Sequence, residues 1–153
     1  MATTAIQQLE LTSPVFENDE NIPAKYTCDG DGVNPPIMIN NIPEDAETLA
    51  LIVEDPDAPG GVFDHWLMWN IQPEDLIEEN TIPGISGTNS AGKTGYHPPC
   101  PPNGSHRYYF HVYALDVELD LSPQSLKEEL KQAMESHILA EGVIMGRYER
   151  PGK

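Results

Sequence analysis

Proline sets the first limit on what this chain can fold into. Fifteen prolines in 153 residues cut it into short pieces, because each one fixes φ and removes a backbone N–H that a helix interior or an inner strand would need. The apolar and β-branched stretches between them are bounded by Pro, Gly, Asn and Asp. They predict strands at Ala5–Leu11, Ala24–Thr27, Ile37–Asn40, Thr48–Glu54, His65–Ile71, Arg107–Leu115 and Val143–Glu149. Short strands in this rhythm point to a mainly β protein, an antiparallel β-sandwich with few short helical turns. One segment breaks the pattern. Ser122 suits an N-cap and Pro123 a first helical position, Leu126, Leu130, Ala133, Met134 and His137 recur at helical spacing, and Gly142 follows as a stop. This predicts one C-terminal helix over about residues 123–140, with an apolar stripe that is ordinary packing.

The length fits a single domain over 1–153 with room for a real core. The longest apolar run, Leu49–Val53, is far short of the ~20 residues of a membrane-spanning helix. Met1 to Pro14 has neither a basic start nor an apolar stretch of signal-peptide type, so the expected location is the cytoplasm. Cys28 and Cys100 are too few for a disulfide framework, and neither belongs to a CxxC pair. The plain reading is two reduced thiols, with a single Cys28–Cys100 bridge as the alternative.

Charge excludes one class of function. The formal net charge is −17. Residues 1–92 hold 17 acids and one base, Lys25, whereas residues 93–153 hold 8 acids and 7 bases, a split of −16 and −1. A surface this acidic repels nucleic acids and anionic lipid headgroups at long range. No nucleic-acid partner and no membrane insertion are expected.

The polar residues converge on one place. Leu49, Leu51 and Val53 share a strand face that Asp55 continues, and alternation puts His65, Leu67, Trp69 and Ile71 on one face of the next strand. If these two strands pair as a hairpin, Asp55 and His65 meet at one rim. His106 and Tyr108 open the face continued by Phe110, Val112 and Ala114, and Pro98-Pro99-Cys100-Pro101-Pro102 before them forms a stiff wall. The result is a polar cluster of Asp55, Asp57, His65, His106 and Tyr108 over an apolar floor. Two imidazoles and a phenol are donors suited to an oxyanion. A carboxylate, Asp55 or Asp57, accepting from one ring nitrogen would orient an imidazole and favour its charged form, so that anions bind more tightly at mildly acidic pH. His111 falls on the opposite face with Tyr109 and Tyr113, and His97 and His137 lack such company, so all three read as structural.

At these residues the chain resembles a known family. Asp55-Pro56-Asp57-Ala58-Pro59, His65-Trp66, Pro101-Pro102 with Gly104, and His106-Arg107-Tyr108 are similar to the two signature regions of the phosphatidylethanolamine-binding protein family. Tyr26-Thr27-Cys28-Asp29-Gly30 and Pro35-Pro36 resemble its bacterial and archaeal branch. The resemblance implies a β-sandwich with a small-anion pocket for phosphate-like or carboxylate-like groups, or a phospho-headgroup. Its residues would be Asp55, Asp57, His65, His106 and Tyr108, with Cys100 and Pro102 in the wall and Arg107 pairing with an acidic loop. It also implies a protein target, a kinase or a protease, and a homodimer. No catalytic residue, cofactor or metal is expected. The rivals are a Cys100 hydrolase, which Pro101 weakens by lacking an N–H for an oxyanion hole, a metal site on the Asp and His residues, and a protein-interaction module with a vestigial pocket.

Overall fold

The structure is a computed structural model that describes residues 5–152. Its frame is a six-stranded sheet built from β1 (Gln7–Gln8), β4 (Thr48–Asp55), β5 (Phe63–Ile71), β7 (Ile85–Ser86), β8 (His106–Leu115) and β9 (Ile138–Tyr148). The order across it is β1-β9-β8-β4-β5-β7. A three-stranded sheet of β2 (Glu10–Thr12), β3 (Ile37–Asn40) and β6 (Leu76–Ile77), in the order β2-β3-β6, lies over one face. Among the described residues the pairings between these strands are antiparallel except that of β1 with β9. The mainly β sandwich read from the sequence is the observed fold.

β4 explains why both faces of the large sheet are covered. Its residues are buried almost throughout. Leu49, Leu51 and Val53 meet Phe110 and Val112 of β8 and Leu11, Ile37, Ile39 and Ile77 of the small sheet in the main core. Ala50 and Ile52 point the other way, into a second core with Leu67, Trp69, Leu115, Leu130 and Met134. The helix α1 (Lys127–Met134) supplies the last two and roofs that side. β8 alternates buried and half-buried residues, as a strand with one packed face should.

Four expectations change. The helix is shorter than 123–140. Ser122 starts a turn closed by Ser125 N–H to the Ser122 carbonyl (3.0 Å), and Leu126 caps the helix, its N–H donating to the Glu129 carboxylate (3.0 Å). Ser136, at φ 72°, ends it. Ile138 to Ala140 join β9, which runs Ile138–Tyr148 rather than Val143–Glu149, because β8 needs a partner and the pairing Ala114↔Ala140 and Leu115↔Ile138 provides one. Gly142 is therefore no helix stop. It lies opposite Val112, where a Cβ would come 2.5 Å from the Leu9 carbonyl oxygen. Second, Ala5–Leu11 is divided between two sheets, β1 pairing with β9 and β2 with β3.

Third, Ala24–Tyr26 is a single 3₁₀ turn and not a strand. Pro23 precedes it, and Thr27 closes it with both its N–H (3.1 Å) and its hydroxyl (2.8 Å) on the Ala24 carbonyl. Fourth, that turn delivers Cys28 to Cys100, and the two form a disulfide with Cα atoms 5.4 Å apart. The thiols expected to be reduced are bonded because the two loops run side by side, Cys28 N–H donating to the Pro99 carbonyl at 3.1 Å. Such bridges belong to oxidising compartments or to the cytosol of hyperthermophiles. Among the described residues, no helix is long and apolar enough to cross a membrane.

The bridge joins residues 72 positions apart, and a loop of that length makes it worth about 4 kcal/mol through the entropy of the unfolded chain. Urea unfolding of Cys28→Ser/Cys100→Ser should show a loss of that order, and a loss below about 1 kcal/mol would refute this entropic account.

Candidate functional site

Antiparallel pairing of β4 with both β5 and β8 brings the end of one strand beside the beginnings of two others. Asp55 closes β4 opposite Phe63, and His65 lies two residues further along β5. The register slips there, Val53 pairing with Trp66 but Glu54 with Asp64, so His65 is the extra residue of a β-bulge. The bulge overturns the expected common face of His65, Leu67, Trp69 and Ile71. Beyond it Trp66 and Met68 enter the main core while Leu67 and Trp69 turn to the helix side, and a second slip, Leu51 pairing with Met68 but Leu49 with Ile71, returns Ile71 to the main core. The His65 ring stays with the main-core side, edge-on to Tyr108 at 5.2 Å.

These strand ends surround a cavity of about 290 Å³. Asp55, His65, His106 and Tyr108 are its polar lining, and Ala58, Pro59 and Phe63, with His97, Cys100, Pro101 and Pro102, complete the wall. At its base Asp55 and His106 form a buried pair, His106 Nδ1 donating to Asp55 Oδ2 at 2.7 Å. The other Asp55 oxygen accepts the Asp57 N–H at 2.7 Å. The carboxylate is thereby held, and Nε2 is the His106 nitrogen left for the cavity. Tyr108 is buried, and its hydroxyl makes no hydrogen bond among the described residues. Burial first, then the charges of Asp55 and Asp57, push its phenol well above the ordinary tyrosine range, so it remains an O–H donor.

Asp57 does not line the cavity. Its carboxylate accepts from Arg107 three times, from the backbone N–H (2.9 Å), Nε (2.9 Å) and Nη2 (2.7 Å). The Arg107 guanidinium holds the Asp57 carboxyl down to about 2. This pair fastens the loop after β4 to the start of β8, and Asp57 acts on the cavity through the backbone N–H it lends to Asp55. Cys100 is in the wall as expected, but its sulfur is bonded to Cys28, so the thiol that a nucleophilic role needs is absent.

His65 departs from the donor role expected of it. Its Nδ1 lies 2.6 Å from the His97 carbonyl oxygen, and a carbonyl only accepts, so Nδ1 carries the hydrogen. Burial pushes the ring down to about 4, against the opposing pull of that carbonyl. His65 is therefore neutral at ordinary pH, and Nε2 offers a lone pair to the cavity. His97, read as structural, also returns its own N–H to the His65 carbonyl (2.9 Å) and sets its ring 5.3 Å from Phe63. Phe63 was legible, since it shares a strand face with His65. No sequence signal marks His97, which reaches the site only through backbone pairing. His111 and His137 lie outside the cavity, against Glu54 (3.0 Å) and Asp116 (2.8 Å).

A lowered His65 has a definite consequence for stability. Between about 6.5 and about 4 the unfolded chain binds the proton that the folded chain refuses. The stabilisation is complete above pH 6.5 and is lost as pH falls toward 4. From pH 7.5 to 5 the loss should be about 2 kcal/mol, before Glu54 and Asp57, each held to about 2, begin to matter. Urea unfolding at the two pH values should show this slope in the native protein and a clearly smaller one in His65→Gln. Equal slopes would refute the assignment.

Comparison with known proteins gives a consistent picture. The family model for phosphatidylethanolamine-binding protein matches residues 12–149. A UPF0098 protein of Pyrococcus abyssi is 48% identical over 155 residues, covering 94% of this chain and 87% of its own length. One from Chlamydia muridarum is 47% identical over 149 residues, with 93% and 99% covered. Among solved structures, a phosphatidylethanolamine-binding protein homologue from Chlamydia trachomatis superposes with a TM-score of 0.91 at 43% identity, over 94% of this chain and 99% of that one. Escherichia coli YbcL shares the fold, with a TM-score of 0.84 at 24% identity over 94% and 99% of the two chains. By sequence along nearly all its length, and by fold, the chain belongs to the phosphatidylethanolamine-binding protein family.

Proposed function

We propose that the cavity binds a small anion of phosphate-like or carboxylate-like chemistry and holds it without transforming it. The observation that carries this reading is the buried Asp55–His106 pair at the base of the cavity, with His106 Nε2 and the unpartnered Tyr108 hydroxyl beside it. An anion brought near Asp55 alone would be repelled strongly in so dry a place. A proton on the His106 imidazole removes that repulsion, because the Asp55–His106⁺ pair is neutral as a whole and Nε2–H becomes a donor. Anion and proton then enter together. Tyr108 adds a second donor, and the disulfide-braced proline wall confines the ligand.

The cavity suits a headgroup-sized ligand rather than a drug-sized one. The net charge of −17 argues against delivery from an anionic membrane surface. The family's name supports phosphoethanolamine as a first candidate beside inorganic phosphate and acetate.

Calorimetric titration with these three ligands at pH 5.5 and 8 tests the reading. Binding should be tighter at pH 5.5 and accompanied by proton uptake, seen as a dependence of the heat on the buffer. It should vanish in His106→Ala. In Tyr108→Phe it should weaken about tenfold to a hundredfold, the value of one hydrogen bond to a charged partner. No binding at either pH would sink the small-anion reading.

A further inference from the structure

We infer that the ligand of this cavity carries its own hydroxyl hydrogen, as the singly protonated end of a phosphate monoester or phosphonate does, and that it donates this hydrogen to His65 Nε2. The inference rests on the anion reading above and narrows it to one chemical class.

The argument starts from the hydrogen on His65. Nδ1–H is committed to the His97 carbonyl at 2.6 Å. That carbonyl belongs to a segment held in turn by His97 N–H on the His65 carbonyl at 2.9 Å, so the ring cannot turn over without breaking a backbone-anchored contact. Nε2 is thus an acceptor. It has no partner among the described residues, and its ring lines the cavity. The groups around it do not reverse this. Asp55 is a carboxylate already filled by His106 and the Asp57 N–H, Tyr108 meets the ring edge-on at 5.2 Å, and Phe63 and His97 lie against it at 4.8 and 5.6 Å. The lowered position of His65, due to burial, agrees with a ring that receives a hydrogen bond rather than giving one.

An oxygen bearing only lone pairs would face the Nε2 lone pair and leave a buried acceptor unmet, which is costly. A P–OH group meets it. The cavity therefore has two unlike ends. His106 and Tyr108 donate to the charged oxygens, and His65 accepts from the protonated one. A site built to pair with a ligand hydroxyl rejects analogues that lack it much more strongly than a merely charged pocket would. A phosphate monoester qualifies. A phosphodiester, the form taken by an intact phospholipid headgroup, is also a monoanion but has no P–OH. Sulfonates and sulfate lack it as well.

Two matched pairs test this in the native protein near pH 5, below the second ionisation of a phosphate monoester. Methylphosphonate and methanesulfonate are both monoanions of similar shape there, and only the first has a hydroxyl. Phosphoethanolamine and glycerophosphoethanolamine are a monoester and a diester with the same amine, and they separate a free phosphate monoester from a lipid-type headgroup. Calorimetry should show the hydroxyl-bearing member of each pair binding roughly tenfold to a hundredfold more tightly. In His65→Gln, whose amide can present N–H₂ to the ligand, the preference should fall below about threefold while methylphosphonate still binds. Equal affinities within the pairs would overturn the inference and leave the anion reading standing. Absence of binding by all four would overturn both.

Discussion

The site depends on one strand. β4 is paired on one side with β5 and on the other with β8, and every polar group at the base of the cavity is placed by one of those three strands. The pairing has a price at its end. Glu54 lies directly opposite Asp64 on the face away from the cavity, and like charges in that position repel. Lys127, at the start of α1, bridges both carboxylates at 3.0 and 2.7 Å, and His111 meets Glu54 from β8. These neighbours hold the Glu54 carboxyl down to about 2, with the His111 hydrogen bond as the largest cause. The helix thus does more than roof the second core. Its first residue bridges the carboxylates at the strand ends whose opposite face carries the site.

The bulge at His65 serves both faces. It adds one residue to β5, and that residue is the one turned toward the cavity. It also shifts the alternation so that Trp66 and Met68 fill the main core while Leu67 and Trp69 meet the helix. Packing and site geometry therefore share one irregularity. A β5 without the bulge would bury different side chains and present a different residue to the cavity.

The two histidines illustrate how a partner sets chemistry. His106 has a carboxylate behind it and His65 a backbone carbonyl. The first arrangement lets a proton on the ring be matched by negative charge, and the second offers only a dipole against the cost of burial. On the proposed reading, one residue type thereby supplies a donor and an acceptor within a single small cavity. The Asp57–Arg107 pair, outside it, keeps the geometry by tying the loop after β4 to β8.

Local sequence was enough for what local chemistry decides. The prolines and short apolar runs announced a mainly β sandwich, the alternation of Leu49 to Val53 and of Tyr108 to Ala114 announced which faces are buried, and strand-end positions brought Asp55, His65, His106 and Tyr108 to one rim. The rest needed the assembled chain. The helix gave up Ile138 to Ala140 because β8 had a free edge, which no propensity within those residues reveals. The Ala24–Tyr26 turn and the Cys28–Cys100 bond follow from loops remote in sequence lying side by side. The bulge arises from the register of three strands at once. The hydrogen on His65 is assigned by the carbonyl of His97, a partner 32 residues away in the chain. Residue type tells which groups are able to donate or accept, but only the tertiary partner decides which of the two each one does.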